Sequence, residues 1–121
     1  MTKKEFIEKW KNIFGKELEG NYNYLWEVFY FKDKSDFLFS LAAKEEFRNV
    51  DKTDAICIQM WFDDDVKLFN ENDFDDIYDL NDEGIIPELF VVGKDWSWSY
   101  IWPHESNDGE DGPFFIYRKN Q

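Results

Sequence analysis

Residues 96–102, WSWSYIW, place a bulky ring at every second position, an alternation that suits an extended strand. With a period of two, Trp96, Trp98, Tyr100 and Trp102 share one face of that strand, and Ser97, Ser99 and Ile101 share the other. Rings of this size either pack as core or stand as a binding platform. Packing against helices, with the serines facing water, is the preferred reading, because only a large exposed apolar patch signals binding. ELFVV (88–92) precedes this strand across the short turn GKD, and PFFIYR (113–118) follows it across the loop PHESNDGEDG. An antiparallel meander is expected.

The remaining elements follow from spacing and punctuation. Thr2 with Glu5 forms a capping box, and Phe6, Ile7, Trp10, Ile13 and Phe14 recur at helical spacing before Gly15, which predicts a helix over 3–14. YLWEVFYF (24–31) is a nearly continuous apolar run that favours a strand buried on both faces, with a buried helix as the alternative. FLFS reads as a short strand and LAAKEEFRN as a helix that Ser40 can cap. AICIQMWF (55–62) is a further strand, with Ile56, Ile58, Met60 and Phe62 on one face and Cys57 and Trp61 on the other. DFDDIYDL reads as a short amphipathic helix with an acidic outer face.

A chain of 121 residues is one domain's length, and its aromatic fraction of 21% supplies enough bulk to offset chain entropy. These elements predict a single α+β domain over 1–121: an antiparallel sheet of about five strands with two or three helices packed mainly on one face. Lys3 and Lys4 are followed by Glu5, Phe6, Ile7 and Glu8 rather than by a signal peptide's apolar stretch. No apolar run approaches the roughly 18 to 20 residues of a membrane span. With one cysteine and therefore no internal disulfide, the chain is expected to be soluble and cytoplasmic.

The formal charge of −13 is strongly segregated: residues 1–52 hold ten basic and ten acidic side chains, whereas residues 53–121 hold four basic and seventeen acidic ones. Such a field repels phosphate backbones and anionic lipid, so nucleic acid and membrane are not expected partners. A basic protein or a cation is the partner class that this charge permits, and an acidic surface also serves solubility alone. Asp63, Asp64, Asp65, Asp75, Asp76 and Asp79 are the candidate acidic interaction face.

Candidate chemistry gathers after the aromatic row. His104, the chain's one histidine, and Glu105 follow Trp102 and Pro103, so Trp98, Tyr100, Trp102, His104 and Glu105 form the candidate ligand-binding set. A histidine beside acids can act as a general base or join a metal, but zinc sites recruit several His or Cys ligands at set spacing, and none is seen. An EF-hand loop begun at Asp79 would need a bidentate Glu where Phe90 stands, and one begun at Asn107 has Gly109 at a ligand position. Cys57, inside an apolar strand, reads as a small buried hydrophobe. No catalytic residue, metal site or cofactor is assigned. The balance leans away from an enzyme.

The stretch VVGKDWSWSYIWPHESNDGEDGPFF resembles the signature of the domain of unknown function 4275 family, a strand with a Trp-Thr-Tyr core leading to Thr-His-Glu and then Gly-Pro-Tyr-Phe. The matching residues are Trp98, Ser99, Tyr100, His104, Glu105, Gly112, Pro113 and Phe115, with Ser99, Pro103 and Phe114 as departures and a longer acidic insertion before Gly112. Upstream, LWEVF (25–29) is similar to that family's Leu-Trp-x-x-Phe segment, and Ala43 with Phe47 to its following helix. The resemblance implies a bacterial protein and directs attention to His104 without naming a reaction. Three functional expectations result: an interaction module, such as an inhibitor or immunity protein, that binds a basic partner; a small-ligand protein or enzyme around His104 and Glu105; and a weak divalent-cation binder.

Overall fold

The computed structural model describes residues 1–18, 24–60, 65–73, 88–103 and 113–119. Helix α1 runs Lys3–Phe14 behind the expected capping box. Glu5 N–H donates to Thr2 Oγ1 (3.1 Å), and Thr2 N–H donates to Glu5 Oε1 (3.0 Å). Gly15 closes the helix with its N–H on the Lys11 carbonyl. Phe6, Trp10 and Phe14, one turn apart, are fully buried.

LWEVFY departs from the expected strand: Leu25–Tyr30 is a 3₁₀-helix. At three residues per turn Leu25 stacks over Val28 and Trp26 over Phe29, and all four are buried. Glu27 reaches back to the Tyr24 N–H (2.8 Å), a capping contact available to a helix and not to a strand. An unbroken apolar run has the same appearance in either state, and Glu27 is the residue that separated them.

Strand β1 (Leu38–Phe39) leads into helix α2 (Ser40–Asn49). Ser40 does not cap it. Its φ of 58° lies in the left-handed region and its N–H pairs with the Pro113 carbonyl, so Ser40 turns the chain from sheet to helix. Strands β2 (Ile56–Gln59), β3 (Lys67–Leu68), β4 (Leu89–Val92), β5 (Trp98–Trp102) and β6 (Phe114–Tyr117) complete a six-stranded sheet of order β1-β6-β5-β4-β2-β3. Every neighbouring pair is antiparallel, including the β4-β5-β6 meander. The fold is α+β, with six strands where about five were expected. Of the expected helix over DFDDIYDL, Asp73 ends a short 3₁₀ turn (Glu71–Asp73) and residues 74–80 lie outside the described residues.

The period of two sorts the sheet's side chains between two cores. Ile58, Phe90, Val92, Ile101, Phe114 and Ile116 point to the face covered by α1 and the 3₁₀-helix. Cys57, Leu89, Val91, Trp98, Tyr100, Trp102 and Phe115 point to the opposite face, where Ala43 and Phe47 of α2 meet them. Most of the helical cover is on the first face, yet α2 closes the second as well. All of β4 and β5 is therefore buried, which explains the unbroken apolar run of β4.

Two expectations about the aromatic strand are corrected. Ser99 is fully buried instead of facing water: its Oγ accepts from Trp10 Nε1 and donates to the Val91 carbonyl, both at 2.9 Å. Trp96 leaves the row of rings. Asp95 and Trp96 both have φ near 58°, a conformation seldom taken by bulky residues, and this turn sends the Trp96 ring to the first core against Phe6 (5.0 Å).

Candidate functional site

The second core is built around the ring row of β5. Trp98, Tyr100 and Trp102 are 3%, 0% and 2% exposed, so these three members of the candidate binding set are interior. Tyr100 stacks on Phe47 at 4.0 Å and 5°, and Trp98 stacks on Phe115 at 5.4 Å and 18°. Phe47 also meets Trp98 edge-on at 5.8 Å. Offset and edge-on pairs of this kind each contribute about 0.5–1.5 kcal/mol beyond area burial. Gly93 makes room for them: a Cβ there would stand 2.2 Å from Trp98 Nε1.

One end of this row is polar. Lys44, on the inner face of α2, is only 6% exposed, and its Nζ sits 5.1 Å from the centroid of the Trp102 ring. The Trp102 indole N–H is buried and has no hydrogen-bond partner among the described residues. A lysine with so little exposure is uncommon, and the π face of a tryptophan is one of the few apolar surfaces that attracts an ammonium. Lys44 and Trp102 thus form a cationic corner two residues before His104. A faint signal for it was present in LAAKEEF, because Lys44 adjoins Ala43 and lies three residues from Phe47 on the helix face that is buried.

Glu88 is a second buried charge that composition alone did not reveal. It is 4% exposed, accepts a 2.6 Å hydrogen bond from Trp26 Nε1, and receives the Met60 N–H on its backbone carbonyl. The carboxylate thereby ties the 3₁₀-helix to the start of β4. Cys57 is fully buried in β2, as its apolar surroundings predicted.

The other candidate residues divide as follows. Asp65 is exposed. Asp63, Asp64, Asp75, Asp76, Asp79, His104 and Glu105 lie outside the described residues. Among the described residues, no group of three or more His, Cys, Asp or Glu side chains is placed to hold a metal ion. No described helix is long and apolar enough to cross a membrane.

A six-stranded antiparallel sheet with an aromatic core on each face and a lysine sealed beside Trp102 defines a small α+β protein. The chain belongs to the family described as domain of unknown function DUF4275, whose model matches residues 3–115. That span takes in both the ring row of β5 and the upstream LWEVF segment. Comparisons with curated proteins and with solved structures find no match.

Proposed function

We propose that this protein is a cytoplasmic protein-interaction module, of the inhibitor or immunity type, whose acidic surface engages a basic protein. The observation that carries the reading is charge segregation: eleven acids stand against the single base Lys67 between Asp63 and Glu88. In chain order this acidic run lies between β2 and β4 and includes the short edge strand β3. Both faces of the sheet are occupied by core, which leaves edges and connections for recognition. Complementary charge supplies fast encounter and partner choice, and it excludes other acidic proteins.

The test is capture on the tagged protein at low and high salt, with mass spectrometry of the eluate. A stoichiometric basic protein released by salt supports the reading. Partners that are acidic, or that remain bound regardless of salt, count against it.

The Lys44–Trp102 corner favours a second reading, a small-ligand protein or enzyme whose site includes His104 and Glu105. A buried ammonium next to an indole N–H offers donors to an anionic or carbonyl-bearing ligand. Lys44→Met is isosteric enough to keep the packing. In this reading it abolishes binding of such a ligand, and in the interaction reading it leaves partner capture intact.

A further inference from the structure

The described surface carries a groove of about 1060 Å³ whose charge is opposite to that of the chain as a whole. It lies between the last turn of α1, the turn joining β4 to β5, and the end of β6. Its walls hold four cationic side chains, Lys16, Lys32, Arg118 and Lys119, and two acidic ones, Glu17 and Asp95. In a sequence with 27 acids and 14 bases this is a local inversion.

The charges have distinct roles. Lys32, its side chain only 7% exposed, pairs with Glu17 at 2.6 Å, so the buried cation neutralises one of the two acids. Lys119 pairs with Asp36 at 3.2 Å. Arg118 and Lys16 have no carboxylate partner among the described residues. The Arg118 side chain makes one hydrogen bond among them, from Nη1 to the Asp95 carbonyl at 3.3 Å, and the rest of its five-donor fork is uncommitted. The Asp95 carbonyl belongs to the turn with left-handed φ at two successive non-glycine residues, and such outliers concentrate where backbone is held for a purpose.

Electrostatics and shape narrow the ligand. At physiological salt the screening length is about 8 Å, so an anion inside the groove responds to these cations and not to acids farther away. A guanidinium fork matches the geometry of a phosphate, and a lysine adds a point charge. Partly buried Ile13 adds an aliphatic surface to the same walls. The volume is at the upper end of the roughly 300–1,000 Å³ typical of small-molecule sites.

We propose that this groove binds a small phosphate ester, with Arg118 and Lys16 holding the phosphate and Ile13 flanking the organic part. The groove shares no lining residue with the candidate acidic face or the Lys44 corner, and the proposal stands whether or not a basic partner exists.

The experiment is an NMR titration of the isotopically labelled full chain with phenyl phosphate and, separately, with inorganic phosphate. Phenyl phosphate is expected to saturate, to shift the amides of Lys16, Ser97 and Arg118, and to bind more tightly than inorganic phosphate. Arg118→Ala should weaken binding by about tenfold or more, the loss of a charge-assisted hydrogen bond, and Arg118→Lys by less. Lys67→Ala, on the opposite edge strand, should leave it unchanged. If Arg118→Ala does not fold, Lys16→Ala, at an exposed residue, gives the same reading. Absence of saturation up to about 10 mM overturns the proposal, as does equal weakening by Lys67→Ala and Arg118→Ala. Equal affinity for inorganic phosphate overturns the ester assignment, and a change of oligomeric state in Arg118→Ala without a change in phosphate binding identifies an acidic segment of a second copy instead.

Discussion

Trp10 of helix α1 donates its indole N–H to Ser99 Oγ in strand β5 at 2.9 Å, across 89 residues of sequence. Ser99 passes the interaction on to the Val91 carbonyl, so one small hydroxyl joins the helix to two central strands. Its burial is a requirement of the fold. An apolar side chain at this point would leave the tryptophan N–H without a partner in a dry interior.

Ser99→Ala is accordingly expected to destabilise the protein by about 1–3 kcal/mol, the cost of a buried unsatisfied donor. Chemical denaturation measures it, as a lowered midpoint at unchanged slope. A change below a few tenths of a kcal/mol would mean that Trp10 finds another acceptor.

Phe47 is the ring on which the second core is assembled, since it stacks on Tyr100 and meets Trp98. Phe47→Ala should cost about 3–5 kcal/mol, and Phe47→Leu distinctly less. Thermal unfolding of both variants checks the order.

Gly93 is required for close approach and not for an unusual φ, which is −77°. In Gly93→Ala the new methyl meets Trp98 Nε1, and the ring must shift. Overpacking of this sort costs about 1–3 kcal/mol. A change in the near-ultraviolet tryptophan spectrum should accompany it, and an unaltered spectrum with unaltered stability would contradict the packing described.

Tyr117 tests electrostatics. Its pKa is pushed up to about 12, first by burial and then by its hydrogen bond to the Glu46 carboxylate, which favours the protonated phenol. Because the folded pKa is raised above the ordinary value of 10.0, the associated stability is present below pH 10 and is lost as pH rises through about 12. NMR titration should show Tyr117 ionising later than an ordinary tyrosine. Glu46→Gln should lower its pKa only in part, since the effect of burial remains.

Much of the architecture was legible where local chemistry and burial agree. Thr2 and Glu5 mark the start of α1 to the residue, and the apolar runs at 56–59, 89–92 and 114–117 are strands because each fills two cores at once. Residues whose conformation depends on partners distant in sequence were less legible. Trp96 fits the alternation of its strand, yet a left-handed turn at Asp95 and Trp96 carries it to the other face. Ser99 looks like a solvent-facing polar residue until Trp10 is placed above it. The candidate site shows the same division: Trp98, Tyr100 and Trp102 were grouped by spacing, whereas Lys44 and the groove cations come from separate elements and share no motif.

The central claim is that acidic charge in the second part of the chain selects a basic partner. It is tested most directly by quantitative capture from cell lysate, comparing the native protein with a variant carrying Asp→Asn at 63, 64, 65, 75, 76 and 79. The account predicts that a stoichiometric basic protein is retained by the native chain at low salt, released at high salt, and absent from the variant. Recovery of the same proteins by both, with the variant folded, would contradict it.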